Sequence, residues 1–158
     1  ERCIASNDVK NRTRGGTAYN VGNLSTGSDP RGGSPAACAA VADQNGTYLG
    51  SASTTGDWTG TRWSDGGAGF QMFQTILPPN GPSCSSSSWD GDWGVNSASS
   101  YHSGGVNVVM GDGAVPFISD RIDTGSLTSP EPMRGPSPFG VWGALGSKNA
   151  GDIINSAF

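Results

Sequence analysis

His102 is the only histidine in the chain, and Ser99, Ser100 and Ser103 stand beside it, with Asp112 further on. A base, hydroxyl nucleophiles and an acid are the residue types of a hydrolytic relay. Their spacing argues against one. Val106, Val108 and Met110 alternate with Asn107 and Val109, and Val115, Phe117 and Ile118 follow Gly111-Asp112-Gly113, which is the pattern of a β-hairpin closed by an Asp-Gly turn. A strand advances about 3.3 Å per residue, so the turn aspartate is held most of a strand's length from the histidine. No G-x-S-x-G elbow, H-E-x-x-H or phosphate loop occurs. The reading is that the chain is not an enzyme and has no catalytic residues. His102, Gly104, Gly105, Asp112 and Gly113 are a structural motif: the imidazole fixes the loop entering the hairpin through a ring hydrogen bond, and the Asp112 carboxylate shapes the turn by accepting from nearby backbone N–H groups.

Two other groupings carry chemistry by type. Asp90-Gly91-Asp92, with Asn96 downstream, has the spacing of oxygen ligands in a calcium loop but lacks the distal bidentate glutamate of an EF-hand. The alternatives are a calcium site on Asp90, Asp92 and Asn96, or a turn between Trp89 and Trp93 whose carboxylates are solvated. One histidine and scattered cysteines make no zinc set. Tryptophans at 58, 63, 89, 93 and 142 suit either a sugar-stacking surface or an aromatic core, and in so Leu-poor a chain core packing is expected to take most of them.

The elements that must position these residues follow from composition. Glycine numbers 26 and proline 10 in 158 residues. Lysine is confined to positions 10 and 148 and glutamate to 1 and 131, so good surface-helix formers are nearly missing. Aspartates beside glycine suit tight turns between strands. The expectation is a mainly β fold with one or two short helices and long Gly/Ser/Pro-rich loops, in one domain spanning 1–158. A net charge of −4 argues against a nucleic-acid partner, and Arg12 and Arg14 read as a solvated basic spot. No apolar run approaches the roughly 20 residues of a membrane span. Ser34-Pro35 followed by an alanine-rich run predicts a helix. Residues 15–34 and 50–57 read as loops, 83–88 as a serine loop, 124–138 as a projecting proline-rich arm, and 152–158 as a terminal strand or pairing arm. Three cysteines, 3, 38 and 84, allow at most one internal disulfide.

Several segments, in order, resemble a pilin-like family typical of planctomycetes, the domain of unknown function 1559. His102-Ser103-Gly104-Gly105 through Asp112-Gly113 resembles its H-x9-DG signature. Arg62-Trp63-Ser64-Asp65-Gly66 is similar to R-x-W-A-D-G, and Leu77-Pro78-Pro79-Asn80-Gly81-Pro82-Ser83-Cys84 to L-P-P-N-S-P-x-C. Val141 to Ser147 with Gly151 to Ile154 is similar to the family's C-terminal W-x-A-L-G-T-R-x-G-G-E-V-V. The resemblance covers about residues 1–14 and 58–158 and leaves 15–57 as a variable loop insert.

The resemblance implies a pilin-like α+β domain with an antiparallel sheet. The family's N-terminal methylated helix is absent from this sequence, which is read as the C-terminal portion of a longer precursor, or as a relative that has discarded the helix. Without that helix, Val106, Val108 and Phe117 of the hairpin are expected partly to face water. By the same resemblance Cys3 and Cys84 match family positions and are expected to pair, leaving Cys38 buried as a small hydrophobe or bonded outside the chain. The implied function is a structural subunit of an extracellular filament, sheath or type II secretion-like pseudopilus, located outside the cell or on its surface. Its partners would be copies of itself and the missing part of its precursor, and Ile153, Ile154 and Phe158 are the expected assembly contacts. The alternative is a cell-surface polysaccharide-binding module. Calcium is the only cofactor the sequence suggests.

Overall fold

The structure, a computed structural model, describes residues 9–24, 33–89 and 93–154. It is mainly β with a few short helices. After a 3-10 turn at Val9–Asn11 come β1 (Thr17–Tyr19), α1 (Pro35–Ala39), β2 (Ser53–Thr55), α2 (Ala68–Gln71), β3 (Cys84–Ser85), β4 (Gly94–Val95), β5 (Gly105–Asn107), β6 (Phe117–Ser119) and α3 (Gly140–Gly146). The first four strands form one sheet in the order β2-β1-β3-β4, and β5 with β6 forms a separate hairpin. Pairing is antiparallel except where Ala18 of β1 lies opposite Cys84 of β3. That parallel step, which departs from the expected antiparallel sheet, follows a crossover through α1 and β2 long enough to return the chain in the same direction. Among the described residues no helix is long and apolar enough to cross a membrane.

The segments expected to be loops supply much of the body. β1 lies within 15–34 and β2 within 50–57, each three residues long, and they meet as Thr17 with Thr55 and Tyr19 with Ser53. The serine run starts with β3. The supposed insert at 15–57 is therefore structural: Ala18, Leu24, Cys38 and Tyr48 join Ile76, Leu77, Cys84, Val95 and Phe139 in the larger core. Burying these side chains stabilises the sheet at about 25 cal/mol per Å² of apolar surface removed from water.

α1 begins at Pro35 as expected, but Ser34 forms no side-chain cap. Its Oγ donates instead to Leu127 O at 3.1 Å, and Ala36 N–H donates to the same carbonyl at 2.9 Å. A helix leaves its first N–H groups without internal acceptors, and the 124–138 segment provides one. Thus the proline-rich arm does not project there; it docks on α1, with Leu127 packed against the core.

The expected Cys3–Cys84 pairing is corrected. Cys84 is bonded to Cys38, with Cα atoms 5.8 Å apart and both residues buried. The reason is tertiary: α1 carries Cys38 onto the middle of the sheet, where β3 lies. Cys3 is outside the described residues. Beside this bridge the Tyr48 hydroxyl lies 3.0 Å from Gly16 O and 2.9 Å from Ser83 O, which share its single proton, and it accepts from Ser83 N–H at 2.9 Å. Burial pushes this phenol well above the usual tyrosine range.

Val106, Ile118 and Trp142 form a second buried cluster, with Val108, Ile122 and Leu145 at its margin. α3 therefore covers the inner face of the hairpin. This corrects the expectation for Val106, which is buried under Trp142, whereas Val108 is half-buried and Phe117, one residue before inward-facing Ile118, is exposed. Residues 151–154 form no strand, and 155–158 lie outside the described residues.

Candidate functional site

The hairpin motif runs from the His102 entry to the Asp112-Gly113 turn. Its entry turns at Gly104, whose φ is +80°, and closes at Gly105, where a Cβ would come within 2.1 Å of Ile118 O, so no side chain fits there. Its ladder continues past β5 and β6, with Val108 N–H to Pro116 O and Met110 N–H to Ala114 O. At the tip Asp112 Oδ1 accepts from Ala114 N–H at 2.9 Å beside left-handed Gly113. His102 is exposed. Its Nδ1 and Ser100 Oγ are hydrogen-bonded at 2.8 Å, and its own N–H donates to that Oγ at 3.1 Å. The expected ring hydrogen bond is there, but on the surface, and Asp112 is engaged at the far end of the hairpin. A hydroxyl and the imidazole are thus paired, while Asp112 is not part of that pair.

Asn80 is the residue that sequence reasoning missed. Gly81 N–H donates to Pro78 O at 3.0 Å with Asn80 at φ +62°, a turn with proline at its second position and a left-handed residue at its third. Thus placed, Asn80 N–H donates to Ala98 O at 2.7 Å, and its Oδ1 accepts from Ser100 N–H at 2.9 Å. Its carbonyl accepts from Thr13 Oγ1 at 2.8 Å. One residue earlier in the motif than the prolines, Leu77 O accepts from the Trp142 indole N–H at 2.9 Å. The Pro-Pro-Asn-Gly tetrapeptide is itself a turn signal, so the conformation was legible; which segments it joins was not.

Two concavities flank this frame. A groove of about 820 Å³ and mixed lining lies between the hairpin and α3, with Phe73, Val109, Met133 and Trp142 beside Glu131 and Arg134. A polar cleft of about 540 Å³ opens on the other motif segments, with Arg12, Arg14, Asp43, Asn80, Tyr101 and Asp120 in its lining. Arg12 is exposed and Arg14 half-buried at its rim. Arg12 Nη1 donates to Thr47 Oγ1 at 2.8 Å. Asp43 Oδ1 accepts from Thr47 N–H and Asn45 N–H, both at 2.9 Å. The Thr47 bond foremost holds the Asp43 carboxyl below the usual aspartate range.

Tryptophan placement departs from expectation. Trp142 is buried and Trp58 and Trp93 are half-buried, but Trp63 is 91% exposed and Trp89 74%. Trp63 sits on a well-tied loop: Gln71 Nε2 donates to the carbonyls of Arg62 and Trp63, Gly60 N–H donates to Phe70 O, and the Arg62 guanidinium lies 4.7 Å from the Phe70 ring centroid.

Of the proposed calcium ligands, Asp90 and Asp92 lie outside the described residues. Asn96 is buried, with Nδ2 donating to Ala68 O at 3.3 Å. Among the described residues no three His, Cys, Asp or Glu side chains converge as a metal set. Ile153 and Ile154 are exposed, and Phe158 is outside the described residues.

A family model described as "Protein of unknown function (DUF1559)" matches residues 7–125. The match runs through the 15–57 segment and ends before the tryptophan-containing C-terminal motif. No curated protein and no solved structure matches the chain.

Proposed function

The chain belongs to the DUF1559 family of proteins of unknown function, and on that premise we propose that it is a structural subunit of an extracellular filament, sheath or type II secretion-like pseudopilus. In this reading it works by contact with copies of itself, at or outside the cell surface, and not by catalysis. The observation that supports it is the outer side of the hairpin and the groove beside it. Val109, Val115 and Phe117 are exposed on the hairpin, and Phe73 and Met133 on the groove wall. Large apolar side chains left in water on one element suit burial against a partner. β5 and β6 pair only with each other among the described strands, so neither has a second strand neighbour, and strand addition from another copy would supply one.

The test is sedimentation and negative-stain microscopy of native material and of a Val109→Asp, Phe117→Asp variant. Assembly by the wild type, with a variant that stays monomeric at unchanged secondary structure, is the expected result. A wild-type protein that remains strictly monomeric at high concentration, and is absent from any surface assembly, refutes the reading.

A second reading, a cell-surface polysaccharide-binding module, is favoured by the exposure of Trp63 and Trp89. Flat aromatic faces left in water are suited to stacking on sugar rings.

A further inference from the structure

We propose that the polar cleft bounded by Arg12, Arg14, Asp43, Asn80, Tyr101 and Asp120 binds a neutral oligosaccharide. This rests on the second reading above and gives it a place; it is independent of the filament reading.

The lining selects its ligand by elimination. Two arginines and two aspartates line one cleft, so their formal charges cancel. A phosphate or sulfate would meet Asp43 and Asp120, and a metal cation would meet the two arginines. An apolar group would strip water from four charges with nothing to replace it. A sugar hydroxyl both donates and accepts, so a row of them matches donors and acceptors set side by side. The guanidinium presents its N–H groups in a fixed planar fork that spans neighbouring hydroxyls. Tyr101, 53% exposed, adds a flat apolar surface for the C–H face of a ring. The volume of about 540 Å³ lies in the range of small-ligand sites.

The walls are set before a ligand arrives. Thr47 Oγ1 holds Arg12. The N–H groups of Asn45 and Thr47 hold Asp43. Asn80 is fixed by its turn and by Ser100, and that bond to Oδ1 orients Nδ2, which is buried and has no hydrogen-bond partner. Walls tied in this way lose little freedom on binding. Three stretches separated along the chain, around Arg12, around Asn80 and around Tyr101, converge here although none of these side chains belongs to either core cluster.

The experiment titrates the purified chain with cellohexaose, chitohexaose and isomaltohexaose, and with hexagalacturonate as the acidic arm, by calorimetry and ligand-observed NMR. At least one neutral hexasaccharide is expected to bind. Arg14→Ala and Tyr101→Ala, both at side chains outside the core, are each expected to weaken it about tenfold or more with unchanged melting temperature. Trp63→Ala and Trp89→Ala are expected to leave it unchanged. Binding removed by the tryptophan variants and untouched by the cleft variants overturns this inference while the second reading stands. Binding of hexagalacturonate alone also overturns it, because the lining would then act as an anion site. No binding by any of the four defeats both.

Discussion

Cys38→Ala is expected to remove about 4 kcal/mol of stability from the oxidised protein. The bridge joins residues separated by 46 positions, and in the chain-entropy account closing a loop of that length restricts the unfolded ensemble by about 4 kcal/mol at room temperature. Both sulfurs are buried, Cys38 on α1 and Cys84 at the centre of the four-stranded sheet. The unpartnered Cys84 thiol would stay in an apolar site, which it tolerates as a small hydrophobe, so the loop term dominates. For a domain of this size one kcal/mol moves the midpoint by about 2–4 °C, giving a fall of about 8–16 °C. The assay is thermal unfolding followed by circular dichroism with and without reductant, alongside peptide mapping without reduction. Reductant should lower the wild-type midpoint by a similar amount and leave Cys38→Ala unmoved. Cys3→Ser is the decisive control: Cys84 can bond only one partner, so the midpoint should be unchanged. A destabilised Cys3→Ser beside an unaffected Cys38→Ala, or a mapped Cys3–Cys84 peptide, refutes the assignment.

Asn80→Ala should cost about 2–4 kcal/mol, combining a left-handed backbone with a lost acceptor for Ser100 N–H. Asn80→Gly relieves the first term and keeps the second, so it should recover about 1 kcal/mol in denaturant unfolding; equal midpoints for the two would show that the turn conformation is not what asparagine supplies. Tyr48→Phe leaves Ser83 N–H buried without its acceptor and should cost about 2–3 kcal/mol by the same measurement, with a loss under about half a kcal/mol counting against the hydroxyl's role in joining the strands.

What neighbouring residues decide was legible in the sequence. The shortage of lysine and glutamate and the many Asp-Gly pairs pointed to turns and strands over helices, and the fold is mainly β. Alternation from Val106 to Met110 and the Gly-Asp-Gly turn placed the hairpin, because a two-stranded ladder closed by a tight turn is specified within about fifteen residues. Ser34-Pro35 marked the start of α1 for a similarly local reason: proline's fixed φ suits the first helical position. The family that the motif segments suggested is the one whose model matches residues 7–125.

What the tertiary structure alone decided involves partners far apart. β1 to β4 are two or three residues each, too short for alternation to show, and they exist because of what they pair with: Thr17 finds Thr55, and Ala18 finds Cys84. Three cysteines carry no record of which two the folded chain brings together, and it is the seating of α1 on the sheet that sets Cys38 against Cys84. The proline-rich segment was read as an arm because its own residues form no element, yet α1's unpaired N–H groups give Leu127 O a place to dock. Tryptophan's burial depends on whether a neighbouring element arrives to cover it: the hairpin receives Trp142, while nothing among the described residues covers Trp63. Arg12, Asn80 and Tyr101 have ordinary sequence surroundings, and only the return of separate loops brings these residues to one cleft. A chain's composition and short-range pattern fix what each segment prefers to become, whereas contacts across tens of residues depend on the whole set of preferences being satisfied at once.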